Sequence, residues 1–174
     1  MEWSHRIFHA SDRIKPYVRK TYLNHSHYFS DLLGSHVWFK LENHQITGSF
    51  KARGAVNKLL SLSLEEKKMG VISASTGNHG AAVAYAAKQL DVSCTIYVPE
   101  DTSSAKLENM KNFGARIKVY GNDCVEAEKK ARQESSIIGK PYISPYNDLE
   151  VIAGQGTIGV EIESQSKILD TIII

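Results

Sequence analysis

A chain of 174 residues with 42% hydrophobic side chains can bury a sizeable core, and its 21 Lys and Arg against 19 Asp and Glu leave a formal charge of +2 with both signs interspersed. That balance offers no basic stripe for nucleic acid or anionic lipid and no apolar run of membrane-spanning length. With charges at Glu2, Arg6, Asp12, Arg13 and Lys15, nothing at the start reads as a secretory leader. A small-molecule partner and a reducing, cytoplasmic setting are therefore expected.

In chain order, Ser11 to Leu23 is expected to be helical, with Ile14, Tyr17 and Val18 on one face and Pro16 in the first turn. Val37 to Leu41 alternates like a short strand, and ENHQITGS reads as a loop. The apolar spacing of Phe50, Ala52, Ala55, Val56, Leu59 and Leu60 predicts a helix capped by Ser49 and ending before Gly70. A regular alternation follows: strand 71–74, helix 78–90, strand 93–98, helix 103–113, strand 117–120 and helix 123–135. Pro141 to Ile143 is a further candidate strand, 149–163 a further helix, and the closing TIII reads as the start of a buried parallel strand. Short apolar strands separated by helices imply an α/β fold with a parallel sheet and helical crossovers.

Cys94 and Cys124 lack CxxC or Cys/His spacing and read as buried free thiols. His5, His9, His25, His27, His36 and His44 read as ordinary polar residues without paired helical spacing, and no metal site is expected. Met69, Met110, Tyr85, Tyr97 and Tyr120 read as packing residues, and Glu126 to Arg132 as a solvated helix face.

Two stretches carry chemistry. SASTGNHGAA, Ser73 to Ala82, joins a strand to a helix through small residues, and a helix start of this kind seats an anion on unsatisfied N–H donors. An amino acid carboxylate and a phosphorylated cofactor both remain open there, while the absence of GxGxxG counts against a dinucleotide. In the second stretch, Lys40 to Ala55, Lys51 stands on the first turn of a helix beside Phe50 with Arg53 close by. That electropositive, partly apolar setting favours a neutral amine able to condense with an aldehyde. Taken alone, Lys51 and Arg53 read far more readily as charges on the solvent face of a helix, and only the combination with the motifs that follow shifts the balance.

TGSFKARGA, then SASTGNHGAAVAYAAK, then VIAGQGTIGVEI, in that order, resemble the serine/threonine dehydratase and serine racemase group of fold type II, tryptophan synthase β-like, pyridoxal-phosphate enzymes. The resemblance runs from about Ser11 to Ile174. It implies that Lys51 carries pyridoxal 5'-phosphate, that Phe50 packs on its ring, and that Asn78 bonds its phenolic oxygen. It further implies that Ser75, Thr76, Gly77, Asn78 and His79 hold the substrate carboxylate. For His79 the backbone N–H is the expected contact, with the ring's role open, and Arg53, Gly54 and Ala55 are expected to support the site.

Thr76 stands where many relatives carry serine or alanine, and where a serine is proposed to act as the second acid/base on the opposite cofactor face. Its hydroxyl keeps proton transfer available, so both Lys51 and Thr76 are candidate catalytic residues. The implied architecture is a smaller α/β domain, 50–146, inserted in a larger one to which 1–49 and 147–174 belong. Family members continue into a glycine-rich phosphate-binding loop, so these residues alone are expected to bind the cofactor weakly and turn over poorly. The implied activity is an ammonia-lyase acting on L-threonine or L-serine in a homodimeric full-length form. Serine racemisation, a non-catalytic amino-acid-binding fragment and, last, a nucleotide-binding domain are the alternatives.

Overall fold

The computed structural model describes residues 2–166 and 169–174. Strands β3 (Val71–Ala74), β4 (Cys94–Val98) and β5 (Arg116–Val119) form a parallel sheet in the order β3-β4-β5. Helices α5 (Asn78–Gln89) and α6 (Ser104–Asn112) make the crossovers, and α7 (Cys124–Ile138) follows β5. Pro141–Ile143 extends the sheet beyond β3 by one parallel bridge, with Ile72 N–H donating to Pro141 O at 2.9 Å and Ile143 N–H to Ile72 O at 2.8 Å. The parallel α/β fold expected from the alternation is the fold observed.

Helices α1 (Glu2–Ile14), α3 (Lys51–Ser61) and α8 (Leu149–Gln165) pack on one another, and α3 also packs on α5. A continuous core of Ile14, Val56, Leu59, Val83, Ile96 and Val98 joins these helices to the sheet. The helix pairs approach closely because glycines face each other. A Cβ on Gly54 would lie 2.7 Å from Val151 O, and one on Gly154 would lie 2.6 Å from Arg53 O and 2.7 Å from Gly54 Cα. Gly156 likewise admits Ile7 of α1. Gly154→Ala is expected to lose about 1–3 kcal/mol in urea unfolding, because the obstructing atoms include backbone that cannot swing aside. Gly159→Ala, which meets nothing within 4 Å, is the control and should be neutral or slightly stabilising.

Several expectations need correction. The first helix spans Glu2–Ile14, not 11–23, because the residue before a proline avoids the α region: the helix stops ahead of Lys15 and Pro16, with Tyr17 N–H turning back to Ile14 O at 2.8 Å. The helix expected to run to Gly70 is two helices, α3 and α4 (Leu64–Met69). Ser63 and Glu66 form a reciprocal capping box, Glu66 N–H donating to Ser63 Oγ at 3.1 Å and Ser63 N–H to Glu66 Oε2 at 2.7 Å, and this starts a new helix. Residues 171–174 pair with no strand among the described residues, and Ile172, Ile173 and Ile174 are exposed. Cys124 is exposed, whereas Cys94 is buried and its thiol pushed up to about 12 by that burial.

The other elements match to within a few residues. Short β1 (Leu23–His25) pairs antiparallel with β2 (Trp38–Lys40), flanking α2 (His27–Leu33), which the sequence reading did not assign. Met110, Tyr85 and Tyr97 are buried packing residues, but Met69 and Tyr120 are exposed. No described helix is long and apolar enough to cross a membrane.

Candidate functional site

Lys51 opens α3, with Phe50 at the cap position and the Ser49 hydroxyl accepting from Lys51 N–H at a long 3.4 Å. Its Nζ donates to Pro145 O at 3.1 Å and stands 5.0 Å from the centre of the Phe50 ring. Partial burial lowers the Lys51 pKa from the ordinary lysine value, which raises the neutral, nucleophilic fraction at a given pH.

Arg53 does not contribute to that effect. Its side chain points away into a buried ion-pair network, with Nη2 to Glu42 Oε1 at 2.8 Å, Nη1 to Glu161 Oε1 at 2.7 Å, and Lys40 Nζ to Glu161 Oε2 at 2.5 Å. The amine is thus tuned by burial alone, and the expectation of an electropositive neighbour in Arg53 is corrected. The supporting role expected of Arg53 and Gly54 takes a definite form: they fasten α3 to α8, Gly54 N–H donating to Gln155 Oε1 at 3.1 Å.

The second motif forms the turn from β3 into α5. Gly77 is the cap residue and supplies no side-chain cap, while Ser75 Oγ accepts the Gly77 N–H at 3.2 Å and Ser75 N–H donates to Tyr97 O at 3.2 Å. The positive end of α5 therefore faces outward at Asn78, whose side chain is exposed. Gly80 lets the first turn sit close: a Cβ there would fall 2.8 Å from Ser75 O and 2.7 Å from Met110 Sδ.

His79 is buried, and its Nε2 lies 3.2 Å from Ile143 O; a carbonyl can only accept, so the ring proton is on Nε2. Its Nδ1 has no partner among the described residues. Burial, with the Lys51 charge adding to it, lowers its pKa to about 4. The ring is thus a neutral core element, which leaves the backbone N–H as the group able to serve a ligand.

The two motifs meet on one short segment. Ile143 O accepts from both His79 Nε2 and Ser73 Oγ, the latter at 2.9 Å, and two residues further on Pro145 O accepts from Lys51. Tyr146 OH, next in the chain, donates to Glu128 at 2.7 and 2.8 Å, and Glu128 also pairs with Arg132 at 2.7 Å. The Glu126 to Arg132 face is therefore partly committed to holding this segment. Sequence reasoning missed Ile143, Pro145, Tyr146 and Glu128; the paired prolines of PYISPYND were the one available signal. It also missed Cys124, whose thiol lies 4.0 Å from Thr76 Oγ1.

Protonation of His79 gives a stability prediction. The unfolded ring takes up a proton near 6.5 and the folded ring only near 4, so stability is fully present above about pH 6.5 and is lost as pH falls toward 4. The loss is on the order of 3 kcal/mol across that window. Urea unfolding at pH 7 and pH 4.5 should show a steeper decline in the wild type than in His79→Gln; parallel declines would contradict the assignment.

The arrangement fits the group that the sequence resemblance implies. Pyridoxal phosphate requires a neutral amine for its aldehyde, a flat apolar neighbour for its ring and N–H donors for anionic groups. Lys51, Phe50 and the uncapped start of α5 supply these.

Comparison with known proteins agrees. Residues 14–174 match the family described as pyridoxal-phosphate dependent enzyme. The chain is 43% identical over 156 residues to L-threonine ammonia-lyase of Geobacter sulfurreducens, covering 90% of this chain and 39% of that protein. It superposes on serine racemase of Dictyostelium discoideum with a TM-score of 0.89 at 39% identity, covering 95% of this chain and 54% of that one. The processed threonine deaminase isoform 2 of Solanum lycopersicum superposes equally well, TM-score 0.89 at 36% identity, covering 95% and 48%. The chain thus spans about half the length of the proteins it matches, or less.

Proposed function

This chain belongs to the family of pyridoxal-phosphate-dependent enzymes, and on that footing we propose that the protein carrying it is an ammonia-lyase that converts L-threonine or L-serine to a 2-oxo acid and ammonia. The observation that carries the proposal is the meeting of Lys51 and the Ser75 to His79 turn on the Ile143 to Pro145 segment. When bound, pyridoxal phosphate supplies the electron sink that makes the α-proton of an amino acid removable.

The chain's own residues do the rest. Partial burial leaves Lys51 Nζ able to take the α-proton as a neutral amine and to return it as an ammonium. The N–H groups at the start of α5, from Gly77 through His79, bind the substrate carboxylate and orient the α-carbon. Asn78 would hold the cofactor through its exposed amide, and Phe50 would support its ring. The Thr76 hydroxyl is the second proton carrier, and Cys124 shapes its surroundings.

The division into a smaller unit, 50–146, within a larger one belongs to the same proposal, as does the homodimeric state of the full-length enzyme in the cytoplasm. These residues alone are proposed to hold the cofactor weakly. The racemase reading has one specific support, the serine racemase likeness. A coupled assay separates the two in the full-length protein supplied with pyridoxal phosphate. Release of 2-oxo acid from L-threonine and L-serine without accumulation of D-serine is the expected result; D-serine from L-serine without 2-oxo acid would replace lyase by racemase. In the same assay Thr76→Ser should retain most activity, and Thr76→Ala is expected to lose about tenfold or more if the hydroxyl carries a proton.

A further inference from the structure

Away from this site, α1 presents two imidazoles one turn apart. His5 and His9 are both exposed, their ring centres are 4.3 Å apart, and their Nε2 atoms approach to 3.1 Å. The relation was hidden in the sequence reading because the helix was placed at 11–23, which left both histidines outside it. With α1 at Glu2–Ile14 they are an i, i+4 pair.

We propose that His5 and His9 form a two-pronged site for a divalent transition-metal cation of tetragonal preference, copper(II) or nickel(II). Metal–imidazole bonds run about 2.0–2.1 Å, and two nitrogens 3.1 Å apart at that distance subtend about 95–100° at the cation. That angle suits two cis positions of a tetragonal ion, and imidazole is a preferred ligand type for copper and nickel. Among the described residues no cluster of three His, Cys, Asp or Glu is placed to hold a metal, so water completes the coordination.

The charged side chains around the pair are balanced and largely paired with one another. Both histidines line one hollow with Arg6, Asp12, Arg13 and Glu150. The two guanidiniums are occupied there: Arg13 pairs with Glu150 at 2.5 Å, and Arg6 with Glu150 at 3.3 Å and Glu2 at 3.7 Å. Asp12, exposed and with no partner among the described residues, lies one turn beyond His9. Asp12 and Glu150 balance Arg6 and Arg13 around the hollow, so a cation there meets no net positive charge from these side chains.

The other histidine group, His25, His27 and His36, is a poorer candidate although His36 Nδ1 lies 3.4 Å from His25 Nε2. His25 Nε2 is 3.1 Å from Ser30 Oγ, which also accepts from Val37 N–H at 2.9 Å, and the His25 ring packs edge-on against Trp38. That group is fastened as a structural unit.

The test is copper(II) titration of the untagged chain at neutral pH against a competing chelator, with electron paramagnetic resonance of the first equivalent. The expected result is a first equivalent showing two imidazole nitrogens. His5→Gln and His9→Gln should each weaken it by about tenfold or more and reduce the spectrum to one nitrogen, while His25→Gln leaves it unchanged. Nickel(II) should raise the melting temperature of the wild type and not of His5→Gln, since a cation bound only to the folded helix stabilises it. The proposal is overturned if the first equivalent survives in His5→Gln and His9→Gln, if it is lost in His25→Gln, or if the chain does not compete with the chelator. Circular dichroism of each variant verifies that α1 is retained, as exposed helix positions permit.

Discussion

Arg53→Met is expected to destabilise the protein by about 3–5 kcal/mol, against a total stability of about 5–15 kcal/mol for a domain of ordinary size. The Arg53 side chain is 1% exposed, and its guanidinium serves two carboxylates, Glu42 and Glu161, each 14% exposed. Methionine of similar length preserves packing but leaves the partly buried Glu42 without its charge partner, whereas Glu161 keeps Lys40. Both carboxylates join distant pieces of chain to α3: Glu42 lies in the loop after β2, and Glu161 lies on α8. Loss of the cation therefore loosens the three segments together. The measurement is the urea midpoint of wild type and variant at neutral pH. Adding Glu42→Gln and Glu161→Gln to Arg53→Met should recover part of the loss, because the uncompensated charges go with the cation. A variant as stable as wild type would show that the network is not closed in solution.

Lys51→Ala should leave the fold nearly as stable as wild type yet abolish the visible absorbance that develops when the wild type is mixed with excess pyridoxal phosphate. The small structural cost follows from its place: Lys51 is half-buried, and among the described residues its side chain makes one hydrogen bond, to Pro145 O. The large chemical cost follows because covalent attachment requires an amine at that position. Lys51→Arg separates the two effects. It keeps a cation that can donate to Pro145 O but supplies no nucleophile, so it should also lack the band. Retention of the wild-type band in either variant would place the attachment elsewhere.

Much of this was legible in the sequence for physical reasons. Strands β3 and β4 are buried runs bounded by turn residues, and α5 is rich in alanine after a glycine-containing turn, so their positions follow from composition and period. The site's two motifs were legible because chemistry restricts them: an amine at a helix start and small residues around an anion seat. What was not legible depends on contacts between distant segments. Nothing local in Arg53 tells that it turns to Glu42 and Glu161, and nothing in Pro145 tells that its carbonyl meets Lys51. Two misses were local and readable: Pro16, which ends α1 rather than starting a helix, and the Ser63 to Glu66 spacing, which marks a new helix start. The closing TIII run has β-strand composition, but a strand also needs a neighbour to pair with, and composition does not supply one.

The most direct test of the central claim is to reduce the wild-type chain with borohydride at neutral pH in limiting pyridoxal phosphate, digest it, and map the pyridoxyl group by mass spectrometry. Reaction governed by the depressed Lys51 pKa and the neighbouring ring should place most of the label on Lys51, although exposed lysines are more accessible. Label distributed over exposed lysines according to their accessibility, with Lys51 among the least modified, would contradict the account.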